Sequence, residues 1–184
     1  MKKTTWIILG VLILIIVWGI AGYNNLVGLN AGVDNQWAQV ETQYQRRIDL
    51  IPNLVNSVKG ILKQEQTVFG ELADARAKYS GAVTVSDKVA AANQLEGSLG
   101  RLLAVVENYP QLKSSENVQT LMAQLEGTEN RISVERKRFN DNVTAFNLSV
   151  QRFPSSILAG IFGFTVRDLF AAQKGAEIAP TVNL

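Results

Sequence analysis

The sequence predicts an all-α protein: an N-terminal transmembrane helix followed by a long antiparallel four-helix bundle. Three observations predict it. Thr4–Ala21 reads TTWIILGVLILIIVWGIA, eighteen positions without a charge, directly after Lys2 and Lys3. Beyond it, apolar residues recur at alternating spacings of three and four, the mark of one helix face. Prolines fall at Pro52, Pro110, Pro154 and Pro180 and set off long stretches between them. No stretch shows the period-two alternation of a strand, Val83–Val85 being too short to count.

The first element is the anchor. About 20 apolar residues carry an α-helix across the hydrocarbon core, and inside lipid every backbone polar group must be paired within the segment. Trp6 and Trp18 stand near its two ends, where interfacial aromatics belong. A cleaved signal peptide is the competing reading, with Gly19-Ile20-Ala21 as a small-residue site. The apolar run exceeds the usual h-region of about 7–15 residues, which favours an uncleaved anchor. Absence of cysteine excludes lipoprotein processing. The next basic residues after Lys2 and Lys3 are Arg46 and Arg47. The positive-inside rule therefore predicts a cytoplasmic N-terminus and an extracytoplasmic bundle.

The bundle helices follow in order. Tyr23, Leu26, Asn30, Val33, Trp37, Val40, Tyr44, Arg47 and Ile51 form one seam, which predicts a stalk helix continuous with the anchor. Pro52 disfavours helix at the residue before it, so a turn or kink is expected there. A second helix is expected over 53–79, with Val55, Val58, Leu62, Phe69 and Leu72 on its stripe, ended by Ser80-Gly81. Thr84-Val-Ser-Asp87 has the form of a capping box and opens the third helix. That helix runs through Val89, Ala92, Leu95, Leu99, Leu102 and Val106 and stops at Asn108-Tyr109-Pro110. Ser114 or Ser115 caps the fourth, whose seam includes Val118, Leu125, Glu129, Ile132, Arg136, Phe139, Val143 and Phe146, up to Pro154. Helices of this length span roughly 40–50 Å and pack around one core. The expected organisation is residues 1–22 as basic N-terminus and anchor, 23–153 as bundle and 154–184 as an apolar C-terminal segment. In that last part, Ile157, Leu158, Ile161, Phe162 and Phe164 are the candidate membrane-proximal residues. They would either cover gaps in the bundle or touch lipid or a neighbouring copy.

Composition narrows the function. The chain has 184 residues, no cysteine and no histidine, which removes the commonest general base and the commonest metal ligand. Of 18 basic and 16 acidic residues, Lys2 and Lys3 account for the excess, so a balanced surface gives no case for nucleic acid. Glu-x-x-His, G-x-S-x-G and phosphate-loop patterns are missing. The expectation is no enzyme, no cofactor, no metal and no small-molecule substrate. The expected partners are the lipid bilayer and either further copies of the chain or another membrane protein. Polar residues at seam positions, among them Asn30, Arg47, Glu65, Glu129 and Arg136, either specify register or drift to the solvent side. Arg46, Arg47 and Asp49 are expected near Glu107 and Tyr109, tying the corners at Pro52 and Pro110 together.

These residues also form a pattern. Tyr23-Asn24-Asn25-Leu26-Val27 is followed by Arg46-Arg47-Ile48-Asp49-Leu50-Ile51-Pro52-Asn53-Leu54-Val55 and Val58-Lys59-Gly60. Glu107-Asn108-Tyr109-Pro110-Gln111-Leu112-Lys113, Thr128-Glu129-Asn130-Arg131-Ile132 and Arg138-Phe139-Asn140-Asp141-Asn142-Val143 come next. In this order they resemble the LemA family of bacterial membrane proteins, and the match covers essentially the whole chain. The resemblance implies one N-terminal membrane helix, a bundle of long antiparallel helices and no catalytic residues to carry over. It also implies a place in the bacterial cytoplasmic membrane. Family members have been described with the domain on either side of the membrane. One branch is associated with magnetosomes and with shaping the membrane invagination. Phe139 stands where many members would have tyrosine. The function expected is a self-associating scaffold or membrane-organising protein, with an adaptor or sensor for an envelope partner such as a membrane protease as the alternative.

Overall fold

In the computed structural model, which describes residues 2–62 and 64–170, the described residues are helical with no strand. Six helices follow in order: α1 (Lys2–Val58), α2 (Gln66–Gly81), α3 (Val85–Glu107), α4 (Pro110–Lys113), α5 (Glu116–Gln151) and α6 (Ser155–Phe162). The chain divides into two compact units.

The first unit comprises the part of α1 up to Gln39 together with Glu135–Leu169. Anchor and stalk are one uninterrupted helix, as the seam predicts. Residues 4–21 carry their apolar side chains outward, and none of the apolar window is buried by the protein. Farther along, Trp37 meets Phe139 edge-on at 5.4 Å, and Gln36 Nε2 donates to Glu135 Oε2 at 2.6 Å. Gly32 faces Asn142, so in this unit α5 runs antiparallel to α1. Val33, Phe139, Val143 and Phe146 are buried between them. α6 closes the unit through Leu158 and Ala159, which share a core cluster with Leu26. It ends at Gly163, whose φ of 75° lies in the left-handed region that glycine enters without steric cost. The Phe164 N–H then donates to the Ala159 carbonyl at 2.9 Å, closing the helix as a Schellman motif does.

The second unit is a four-helix bundle of residues 40–58 of α1, α2, α3 and residues 116–134 of α5, with α4 as a short insert. Its core includes Val40, Tyr44, Ile48 and Ile51 from α1, Leu72 and Tyr79 from α2, Leu95 and Leu102 from α3, and Leu125 and Ile132 from α5. Thr84 caps α3 as expected, its Oγ1 accepting from the Asp87 N–H at 3.1 Å.

Two local expectations need correction. α1 does not turn at Pro52 but passes through it and ends at Val58. The second helix therefore starts at Gln66 rather than Asn53. A proline inside a helix costs about 3 kcal/mol. Leu54 and Val58 continue the stripe of Ile51 and are fully buried, and burying each such side chain is worth about 1.5–3 kcal/mol. Burial of the pair outweighs the lost hydrogen bond. The break falls at Lys59-Gly60, where the Ile61 and Leu62 N–H groups both donate to the Val58 carbonyl. Pro110, expected only to end α3, also starts the single turn of α4. Proline suits that first helical position because its missing N–H would have no partner there.

Candidate functional site

Among the described residues of the bundle unit, Arg47 is the most buried charged side chain, at 2 % exposure. The seam that predicts a long helix puts it on the inward face, three residues after Tyr44 and four before Ile51. Its Nε donates to Thr128 Oγ1 at 3.2 Å, one terminal nitrogen donates to Glu129 Oε2, and the other lies 3.7 Å from Glu96 Oε1. The Thr128 hydroxyl in turn donates to the Leu125 carbonyl at 2.7 Å. Tyr44 donates its hydroxyl to Glu96 Oε1 at 2.8 Å and stacks at a tilt on Tyr79, 5.2 Å between ring centres. One guanidinium thus joins α1, α3 and α5. Its rigid fork of donors suits several acceptors at fixed angles.

Beside this junction a cleft of about 430 Å³ opens between α3 and α5. Leu99, Leu103, Met122, Ala123 and Leu125 line it with apolar surface, and Gly100 leaves one wall low. Glu96, Glu107, Glu126 and Glu129 add four carboxylates, against Arg47 as the cation in the lining. Such a cleft suits an apolar side chain carried next to a positive charge. Among the described residues, no three acidic side chains converge closely enough to hold a metal ion.

Several sequence candidates fall at this junction and others do not. Arg47 and Glu129 pair with each other, and Glu107 lines the cleft. Arg46 and Asp49 are exposed, Asp49 accepting from Gln45 Nε2 at 2.8 Å on the same helix. Tyr109 and Pro52 are half-buried and Pro110 is exposed. Arg47 is therefore tied to Glu96 and Glu129 rather than to the Glu107–Tyr109 corner. Glu96 carries no seam signal, because it sits beside the stripe of Leu95 and Leu99.

A second constellation lies in the unit that holds the anchor. Asn147 clamps the chain at Arg167 from both sides, accepting from the Arg167 N–H and donating to its carbonyl, each at 2.8 Å. The Arg167 guanidinium reaches α1, donating to Asp34 Oδ1 and Asn30 Oδ1, both at 2.8 Å. Asn30 was legible as a polar residue on an apolar seam, whereas Arg167 lies in a non-periodic stretch with no such mark. α6 splits the candidate membrane-proximal residues. Leu158 is buried and Phe164 half-buried, while Ile157, Ile161 and Phe162 are exposed.

A family model described as LemA family matches residues 36–184. The chain is similar to the magnetosome protein MamQ 2 of Paramagnetospirillum magneticum, at 26% identity over 187 residues, covering 88% of this chain and 68% of the relative. Magnetosome protein MamQ of Magnetospirillum gryphiswaldense matches at the same identity and coverage.

Proposed function

The chain belongs to the LemA family, and from that premise we propose that it is a non-enzymatic scaffold, held in the bacterial cytoplasmic membrane by α1 and working through self-association. Membrane association itself rests on the family, on the MamQ relatives and on the apolar stretch that none of the described residues covers. The observation that carries the scaffold reading is the continuity of α1. The same helix offers residues 4–21 to lipid and then supplies Tyr44, Arg47 and Ile51 to the bundle. Anchor and bundle share one helix, so copies whose anchors meet in the plane of the membrane also bring their bundles near one another. The missing histidine and cysteine support a binding role over a reactive one. Arg47, the buried charge of the bundle unit, is engaged by internal partners. With Lys2 and Lys3 ahead of the span, the bundle is assigned to the extracytoplasmic side.

In-membrane crosslinking and blue-native electrophoresis of the full chain test the scaffold. Ladders of copies are expected. A strictly monomeric species with no co-purifying partner would sink the proposal.

The cleft over Arg47 favours a second reading, an adaptor that takes a basic, apolar segment of an envelope partner. Glu107→Lys with Glu126→Lys reverses charge at exposed lining positions while leaving Arg47 in place. Loss of a specific partner with the crosslinked ladder intact supports the adaptor; loss of the ladder alone supports the scaffold.

A further inference from the structure

We propose that the outer face of α6 is a lipid-contact surface, seated in the interfacial layer of the leaflet from which α1 emerges. The inference starts from where α6 touches α1. Leu158 packs where a side chain at Gly22 would stand, and Leu158 and Ala159 share their core with Leu26. Phe162 lies 4.6 Å from Tyr23, ring centre to ring centre, and Phe164 lies 6.1 Å from it. Gly22, Tyr23 and Leu26 follow directly on Ala21, the last residue of the uncharged stretch. α6 is therefore held at the level where α1 leaves the hydrocarbon, the depth at which Trp18 and Tyr23 also sit and which such side chains favour.

With its inner face spent on α1, α6 still presents apolar residues outward. Ile157 and Ile161 are four apart and share a face; they are 51 % and 68 % exposed. Phe153, just before the helix, is 82 % exposed, and Val166 and Leu169 beyond it are also exposed. Monomeric proteins in water rarely display so contiguous an apolar patch. On α1, Ile20 and Val27, which bracket the contact residues Gly22, Tyr23 and Leu26 in sequence, are exposed as well. That placement, directly after the uncharged stretch, identifies the occupant: the lipid that covers residues 4–21 also covers the outer face of α6. Ser155–Phe162 contains no charged residue, so the contact is with acyl chains and upper glycerol, and it needs no anionic headgroup. The inference rests on membrane anchoring and is independent of self-association.

Because the natural chain has no cysteine, single-cysteine variants take one environment-sensitive fluorophore each. The full chain is reconstituted in phosphatidylcholine vesicles with a label at Leu14→Cys, Ile161→Cys or Asn35→Cys. Asn35 is exposed on α1 and lies fourteen residues past Ala21, about 20 Å farther along the helix. Lipids carrying a quencher near the headgroup or deep in the chain report depth, and iodide on both sides of the membrane reports water. The expected pattern is deep quenching at Leu14, shallow lipid quenching with several-fold protection from iodide at Ile161, and iodide quenching at Asn35. The same pattern in vesicles with and without phosphatidylglycerol is expected. Ile161 quenched by iodide like Asn35, while Leu14 is quenched by lipid, overturns the inference and leaves the anchor standing. Protection at Ile161 without lipid quenching, together with crosslinks between Ile161→Cys copies, assigns the face to a second copy and overturns it too. Failure of lipid quenching at Leu14 removes the anchor and this inference together.

Discussion

Arg47 shows how one side chain can organise a helical bundle. Its charge is out of water, yet its donors meet Thr128, Glu129 and Glu96, which makes the burial tolerable. The two sides of the pair are unequal, because Glu129 is 52 % exposed and can return to solvent. Arg47→Ala should therefore cost about 3 kcal/mol, combining a void with the loss of Glu96's cation. Glu129→Gln should cost no more than about 1 kcal/mol, since solvent already screens that carboxylate. Arg47→Lys should fall between them, because an ammonium cannot replace the planar fork. Urea unfolding of the full chain in detergent, followed by helical circular dichroism, measures all three. Equal losses for Arg47→Ala and Glu129→Gln would show that burial of the guanidinium is not what matters. At this scale the sequence marks which polar residues break an apolar seam, and Asn30 and Arg47 both find partners there. It does not mark the partners. Glu96 and Arg167 reach those positions only through tertiary placement, which no local periodicity encodes.

Helices were more legible than their ends. The α3 start follows cap chemistry that is visible in Thr84-x-x-Asp87, and α5 starts at Glu116, directly after the two serines. Pro52 misleads because its local preference and the stripe that surrounds it disagree, and the stripe prevails. Leu54 and Val58 are fully buried only if α1 continues. Replacing that proline tests which influence shapes the helix. Pro52→Ala restores an N–H in the helix interior and removes a ring clash, so it should raise stability by about 1 kcal/mol or more. A rise in melting temperature is the expected readout. A fall would show that the proline itself helps to seat Leu54 and Val58 in the core. α6 was legible as an apolar segment but not as a helix with two different faces. Its assignment depends on Gly22, which leaves room for Leu158 against α1. A glycine that follows an apolar run looks like ordinary punctuation until the neighbour that fills its space is known.

For the molecule as a whole, the division into two units had no sequence signature, because α1 and α5 each run through both without a linker. On the positive-inside rule, orientation depends on very few residues. Eighteen basic and sixteen acidic residues become balanced once Lys2 and Lys3 are set aside, so overall charge does not favour either side of the membrane. What counts is basic charge within about 15–20 residues of the span. Lys2 and Lys3 meet that condition on one side, whereas Arg46 lies 25 positions beyond Ala21. The bundle should therefore be translocated, and protease added to intact spheroplasts should remove a tag at the C-terminus. Moving the two charges should reverse the bias. Lys2→Ala and Lys3→Ala combined with Asn24→Lys and Asn25→Lys place them just past the span, at exposed positions. A large fraction of that variant should keep its tag protected until the membrane is opened. Protection of the natural chain would put the bundle in the cytoplasm and remove the extracytoplasmic assignment. The lipid contact of α6 would survive that result, since it depends on depth at the interface and not on which leaflet is met. Orientation and depth can thus be tested separately, one through the two lysines before the span and the other through the packing around Gly22 after it.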